Sequence, residues 1–247
     1  MAAFRRTAAG AREDGNPALE LERLLADPAF HASLVKLDDM AAESYQRGAH
    51  LLPAARPMTD EANHIARTVL QLAREVGEPL ADRDLTGVDF RGCDLSGIDL
   101  RRALLEGADL RGVDLSGANL AQAVLARADL RGARLDGANL TGANLGGANL
   151  EGASLTDADL STAILMAARV AGANLARTRL TGADLLDVVW SGLDLAGAVL
   201  DQCVFLKADL EGANLTSASL VQATFLECKL DRVDFSSADL HKATFVS

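Results

Sequence analysis

The chain has 247 residues, of which 49% are hydrophobic but only 4% are aromatic, and its formal net charge is −11. An acidic surface repels nucleic-acid phosphates, which disfavours direct nucleic-acid binding through counterion release. No stretch approaches the roughly 20 apolar residues of a membrane span. The first residues also lack the apolar run of a secretory signal. These features predict a soluble, cytoplasmic protein with a core of small and medium side chains.

The first 80 residues predict a small helical segment. Residues 1–15 form a disordered start, and residues 16–80 contain three short helices. Asn16-Pro17 and Asp27-Pro28 are helix-start signals, because a capping side chain precedes proline at the first helical position. The second of these helices is predicted to stop at Gly48. A segment this short has little core of its own, so we expect it to cap the region that follows or to pack along it.

From Leu85 to Phe245 a large apolar residue falls at every fifth position without a slip. A small residue, usually alanine, lies two positions earlier, and Asp or Asn often separates the two, as in Ala148-Asn149-Leu150. A period of five fits neither an α-helix nor a simple strand. Because the large and small residues share parity, both can point inward while their neighbours point outward. The pattern predicts a coil of short, turning sides over residues 81–247.

These units resemble the pentapeptide repeat family, whose consensus is A(D/N)LXX, over about two thirds of the chain. The resemblance implies an all-β solenoid, a right-handed quadrilateral parallel β-helix of about eight coils with a small α-helical N-terminal segment. One coil would then take four units. Phe205, Phe225 and Phe245 are one coil apart and are expected to stack. Cys93 and Cys203 fall on the inward small position, as does Cys228, where cysteine acts as a small hydrophobe.

Sorting the outward residues by coil separates one apolar face from three polar faces. Contiguous exposed apolar patches usually mark an interface, so the apolar face is the candidate binding surface. Its residues are Leu104, Val124, Ile164, Met166, Leu186, Val204, Leu206, Leu226 and Val246. We expect the N-terminal helices, a second copy of the chain or another protein to cover it. On a second face, Asp89, Asp109 and Asp129 are expected to pair with Arg91, Arg111 and Arg131. A third face is acidic and carries Asp94, Asp114, Asp194 and Asp234.

The sequence predicts no catalytic, cofactor-binding or metal-binding residues. The four histidines are scattered and the three cysteines have no CxxC spacing, which argues against metal sites and disulfide frameworks. The glycine-rich stretch 142–147 consists of repeat corners and lacks the Lys-Ser/Thr of a phosphate loop. The expectation is a protein that is not an enzyme and that has no cofactor.

Two functions remain open at this stage. The first is a protein–protein interaction module or adaptor, in which the partner is another protein or a second copy in a homodimer. Residues 83–110 also resemble pentapeptide regions of proteins from bacterial type VI secretion clusters, which implies a cargo adaptor or chaperone. The second follows from the family resemblance and the charge: an acidic DNA mimic that binds DNA gyrase or topoisomerase, as in quinolone resistance, through the acidic face.

Overall fold

The computed structural model describes residues 44–54, residue 59 and residues 80–246. The disordered start, the helices expected over residues 16–43 and almost all of the third helix lie outside the described residues. The chain divides into two compact units, Met1–Tyr45 and Gln46–Ser247. The second unit contains the whole repeat region.

The repeat region forms a parallel β-solenoid in which one coil takes four five-residue sides. Isolated bridges run from Asp84↔Leu104 to Ser219↔Asp239, and each joins residues that are one coil apart. The backbone N–H of most large inward residues donates to a carbonyl of the next coil, as from Leu125 to Asn144 O at 2.7 Å. The sides are therefore short strands that pair only with the coils above and below.

Three sides near the C-terminus are long enough to be strands. These are β1 (Val204–Leu206), β2 (Thr224–Leu226) and β3 (Thr244–Val246). They form one parallel sheet in the order β1-β2-β3. The sheet continues the face that the sequence marks as apolar.

Each corner is made by the second residue after the large inward one. Its φ is positive at Gly107 (62°) and also at Arg127 (57°). Glycine adopts this left-handed conformation at little cost, whereas a side chain makes it less favourable. A corner that carries a non-glycine residue in spite of this cost places its side chain at a fixed edge of the solenoid.

The interior is filled by stacked columns of the chain's own side chains. Leucines at the large position and alanines at the small position are almost all fully buried. The phenylalanine stack is confirmed: ring centroids lie 4.9 Å apart for Phe205 and Phe225, and 4.8 Å apart for Phe225 and Phe245. Cys203 is buried, and this burial raises the pKa of its thiol to about 12, so it behaves as an unreactive core residue.

The regular ladder of hydrogen bonds is interrupted next to Trp190. The inward residues there are larger than the usual alanine or leucine: Val188, Trp190 and Leu193 are all buried. Within residues 182–209, the backbone N–H groups of Leu185 and Asp187 do not donate to carbonyls of the next coil, as the equivalent residues of other coils do. The Trp190 Nε1 atom is also buried without a partner. Excess volume in a packed interior forces the backbone to shift, and we attribute the break in the ladder to these three side chains.

Candidate interaction surface

The apolar face predicted from the sequence has two halves with different surroundings. Over the first half, Val124 is only 1% exposed and Leu104 is half-buried. Ile164 and Met166 are also half-buried. Half-burial is common at outward positions on the other faces too, but the complete burial of Val124 requires another part of the protein to lie on it.

Part of this cover is a short turn that precedes the solenoid in the chain. Residues 44–48 are helical and continue into a 3-10 helix, Ala49–Leu51. We call residues 46–51 the docked turn. Ala49 is fully buried, and the contacts of the docked turn are with residues 127–146. It therefore lies against the side of the solenoid, two coils beyond the first, and not over the open edge of the first coil.

Asn144 is the first anchor of the docked turn. It occupies the column of Leu104, Val124 and Ile164, but its side chain is polar and fully buried. The Nδ2 atom donates to Gln46 O at 2.7 Å, and the Oδ1 atom accepts the N–H of Gly146 at 2.9 Å. Both ends of the amide are satisfied, as a buried polar group requires.

Arg127 is the second anchor. Its guanidinium donates to His50 O and Ala49 O, both at 2.8 Å. It also pairs with Glu106 at 2.5 Å, and the Glu106 side chain is only 4% exposed. A buried carboxylate is stable only when it is paired, so Glu106 and Arg127 hold each other in place beneath the turn.

Gly146 supplies the room for the His50 ring. A Cβ atom added at Gly146 would lie 2.4 Å from both Cβ and Cγ of His50. We call four residues the anchor site: Glu106, Arg127 and Asn144 with their polar side chains, and Gly146 with its bare backbone. Sequence reasoning missed it, although the signal was present: Asn144 interrupts the apolar run of Leu104, Val124 and Ile164.

The second half of the face is open. Its apolar residues, here called the open patch, are Leu186, Val189, Val204, Leu206, Leu226 and Val246. Val204 is 55% exposed and Leu206 is 46% exposed, while Leu226 is half-buried. Val189 lies around the corner on the second face and was not among the residues predicted from the sequence. The open patch adjoins the interrupted ladder beside Trp190.

The rim of the open patch is mainly acidic. Asp184 and Asp187 are exposed beside Leu186. Lys207 is exposed too, but its Nζ atom lies 3.6 Å from the carboxylate of Glu227. The rim thus surrounds an apolar centre with a surplus of negative charge.

The second face carries the ladder of Asp–Arg pairs expected from the sequence. Arg111 contacts Asp109 at 2.5 Å in its own coil and Asp129 at 3.6 Å in the next. The hydrogen bond from Arg111 holds the pKa of Asp109 below its usual value, and Arg131 does the same for Asp129. These charges neutralise one another, so this face has a weak net field.

The four aspartates of the acidic face lie on one side but serve the turns. Each accepts the backbone N–H of the residue two positions later, for example Asp94 from Ser96 at 3.0 Å and Asp234 from Ser236 at 2.9 Å. Arg134 sits in the same column and donates to Asp114 at 3.2 Å. The negative charge on this face is therefore interrupted by Arg134 and by neutral residues.

The described part of the chain holds no group of three or more His, Cys, Asp or Glu residues that could bind a metal ion. Among residues 44–54 and 80–246, no helix combines the length and the apolar character that crossing a membrane demands.

The fold is a parallel solenoid with four five-residue sides per coil, inward columns of alanine and leucine, and left-handed corners. These features together define a single class of repeat protein. The family described as "Pentapeptide repeats" matches this chain in eight copies between residues 84 and 245. The chain belongs to the pentapeptide repeat family, and this family folds as a right-handed quadrilateral β-helix.

Solved structures of the same family resemble this chain. The pentapeptide repeat protein Rfr23 from the cyanobacterium Cyanothece 51142 is 43% identical, with a TM-score of 0.37, and the match covers 38% of this chain and 65% of Rfr23. The chain thus spans just under two thirds of that relative. HetL from Nostoc sp. strain PCC 7120, described as involved in heterocyst differentiation regulation, is 29% identical over 70% of this chain and 92% of its own, with a TM-score of 0.31.

QnrB1, a plasmid-mediated fluoroquinolone resistance protein, is 20% identical over 61% of this chain and 72% of its own, with a TM-score of 0.33. Among curated proteins, none matches the chain. At these TM-scores the individual neighbours carry no argument about function. The family assignment rests on the repeat itself.

Proposed function

We propose that this protein is a non-enzymatic interaction module that binds a partner protein through the open patch. The observation that carries the proposal is the exposure of Leu186, Val204 and Leu206 on adjacent coils, beside the half of the same face that the protein already covers. Side chains on neighbouring coils lie roughly 4.8 Å apart, so these residues form one contiguous apolar surface. Such surfaces are typical of binding sites.

The chemistry of the partner follows from the rim. Asp184 and Asp187 border the open patch, and Lys207 beside it is paired with Glu227. A partner with an apolar centre and basic residues around it would complement this surface, because opposite charges at the rim favour encounter and orientation. The solenoid would contribute a surface already held by its backbone, which lowers the entropy lost on binding.

The experiment is a comparison of Leu206→Asp with Val199→Asp. Val199 is also an outward apolar residue, but it lies on the fourth face. A photo-crosslinking residue at position 204 identifies the partner, and the affinity of the purified partner is then measured for each variant. We expect Leu206→Asp to weaken binding at least about tenfold, because a carboxylate enters an apolar contact, and Val199→Asp to leave it unchanged. Equal affinity for both variants would overturn the proposal.

The DNA-mimic alternative is tested in the same series. Changing Asp94, Asp114, Asp194 and Asp234 to asparagine removes the acidic face but keeps an acceptor for each turn. Inhibition or protection of DNA gyrase by the wild-type chain, lost in this variant and kept in Leu206→Asp, would replace the interaction module by the mimic. The turn roles of these aspartates and the presence of Arg134 among them weigh against that outcome.

Further outcomes concern the partner's identity. A wild-type chain that is a dimer in solution, with Leu206→Asp a monomer, would show that the open patch binds a second copy, and would overturn the choice of a different protein. The adaptor role, the cytoplasmic location and the link to type VI secretion clusters stay predictions from the sequence.

A further inference from the structure

The anchor site has the chemistry that the end of a helix requires. The last carbonyl groups of a helix have no intrahelical donors, and they carry the negative end of the helix dipole. Two such carbonyls, those of Gln46 and His50, are bound by the side chains of Asn144 and Arg127. Arg127 also donates to the carbonyl of Ala49, which accepts the backbone N–H of Leu52 as well. A neutral amide and a guanidinium therefore replace the capping groups that the helix itself lacks.

Two of the bonds that position the anchor site do not involve the docked turn. The Oδ1 atom of Asn144 is fixed by the N–H of Gly146, which directs Nδ2 away from the solenoid. The guanidinium of Arg127 is fixed by the buried carboxylate of Glu106. Neither bond involves residues 46–51, so both donors are preorganised by the solenoid, and preorganised donors bind with a smaller loss of entropy.

Most of the contacts are to backbone carbonyls of the docked turn. Two side chains of the turn add to them: Gln46 Nε2 donates to Gly142 O at 3.3 Å, and His50 Nδ1 lies 3.3 Å from Asn144 Nδ2. The acceptors are carbonyl oxygens, which every helix end presents. Ala49 is fully buried, so the residue at its position must be small, and Gly146 leaves space for one ring. The matching ligand class is the C-terminal turn of a helix that has a small residue at the buried position.

The docked turn itself is held by few apolar contacts. Leu51 is 72% exposed and Leu52 is 50% exposed, so they contribute little burial. Hydrogen bonds to carbonyls have a small net value because water competes for the same atoms, and ordering the backbone opposes them. The balance between bound and released states is therefore small enough for a competing helix end to change it.

We propose that Glu106, Arg127, Asn144 and Gly146 form a receptor for the C-terminal turn of a helix, and that residues 46–51 occupy it as a plug which a partner's helix end displaces. This receptor is separate from the open patch. The Leu206→Asp variant is expected to leave it intact, so the two proposals fail independently.

The test uses the full chain and a fluorescein-labelled, alanine-rich helical peptide that ends in the sequence of residues 46–52. A control peptide carries the same seven residues at its N-terminal end. In the full chain, Ala49→Arg removes the plug, because a fully buried position cannot hold arginine. We expect this variant to bind the first peptide at least about tenfold more tightly than the wild type does, since the plug no longer competes, and to bind the control peptide weakly.

A second substitution in the Ala49→Arg background identifies the receptor. Arg127→Met should lower the affinity at least about tenfold, whereas the matched control Arg131→Met, on the neighbouring face, should not change it. Hydrogen exchange of residues 46–51 in the wild-type chain gives a readout that needs no variant, and excess peptide should accelerate it. The proposal is overturned by equal binding of both peptides, by no effect of Arg127→Met, or by exchange that the peptide leaves unchanged.

Discussion

The coils around Asn144 and the coils around Trp190 are built from the same five-residue unit, yet they differ in interior, backbone and surface. Around Asn144 the inward residues are alanine and leucine, and the bonds between coils are unbroken. Around Trp190 the inward residues are larger, several bonds are absent and the apolar face is open. A repeat therefore specifies the path of the chain, while its departures from consensus decide where the solenoid is tight and where it is accessible.

The largest effect should come from deleting inward side chains in the two regions. Leu145→Ala creates a cavity in a tight interior and is expected to cost about 2–5 kcal/mol of unfolding free energy. Leu185→Ala occupies the equivalent place beside the interrupted ladder, where the backbone can collapse more easily, so its cost should be smaller. Urea unfolding of both variants measures the difference. Equal costs would mean that the two regions are packed alike.

Hydrogen exchange tests the backbone difference directly. The amides of Leu185 and Asp187 lack the bonds that Leu125 and Arg127 make to the next coil, and amides with weaker local protection open more readily. We expect about tenfold faster exchange or more at the first pair. The double variant Val188→Ala, Trp190→Leu should slow exchange at Leu185 and Asp187. If exchange is unchanged in this variant, the large interior side chains are not the cause of the interrupted ladder.

The covered half of the face can be opened by one added side chain. Gly146→Val would collide with His50 and is expected to release residues 46–51, at a cost of about 1 kcal/mol in carbonyl hydrogen bonds. Faster trypsin cleavage after Arg47 reports the release. Ala171→Val is the matched control, because Ala171 has the same place in its unit but is exposed. Identical cleavage rates for the two variants would contradict the docked arrangement.

The smallest effect concerns pH. The pKa values of Asp109 and Asp129 are lowered by their arginine partners, so these pairs stabilise the fold at pH values above the unfolded-state pKa of about 4. Their contribution is lost as the pH falls through the folded-state values. Because the groups are partly exposed, we expect about 0.5 kcal/mol or less for each pair. The free energy of unfolding, measured as a function of pH, should differ between Arg111→Gln and the wild type at neutral pH. The two values should converge in strong acid.

The inward columns, the four sides and the phenylalanine stack could all be predicted from the sequence, because each depends on residues one unit or one coil apart. The docked turn could not, since Gln46 and Asn144 are 98 residues apart and no period relates them. The break in the ladder left a partial signal in Trp190. Its effect depends on Val188 and Leu193 as well, because the volume of the whole layer decides whether neighbouring coils stay in contact.

Because each coil takes twenty residues, sites in one column of the solenoid are separated by a whole number of coils. Asn144 and Val204 lie in the same column, three coils apart, which places the receptor and the open patch roughly 14 Å from each other along the axis. Inserting or deleting one whole coil between them would change that distance in a step of roughly 4.8 Å and would keep both sites on the same side. The proposed receptor and the proposed binding patch can therefore be spaced to fit a given partner without being redesigned.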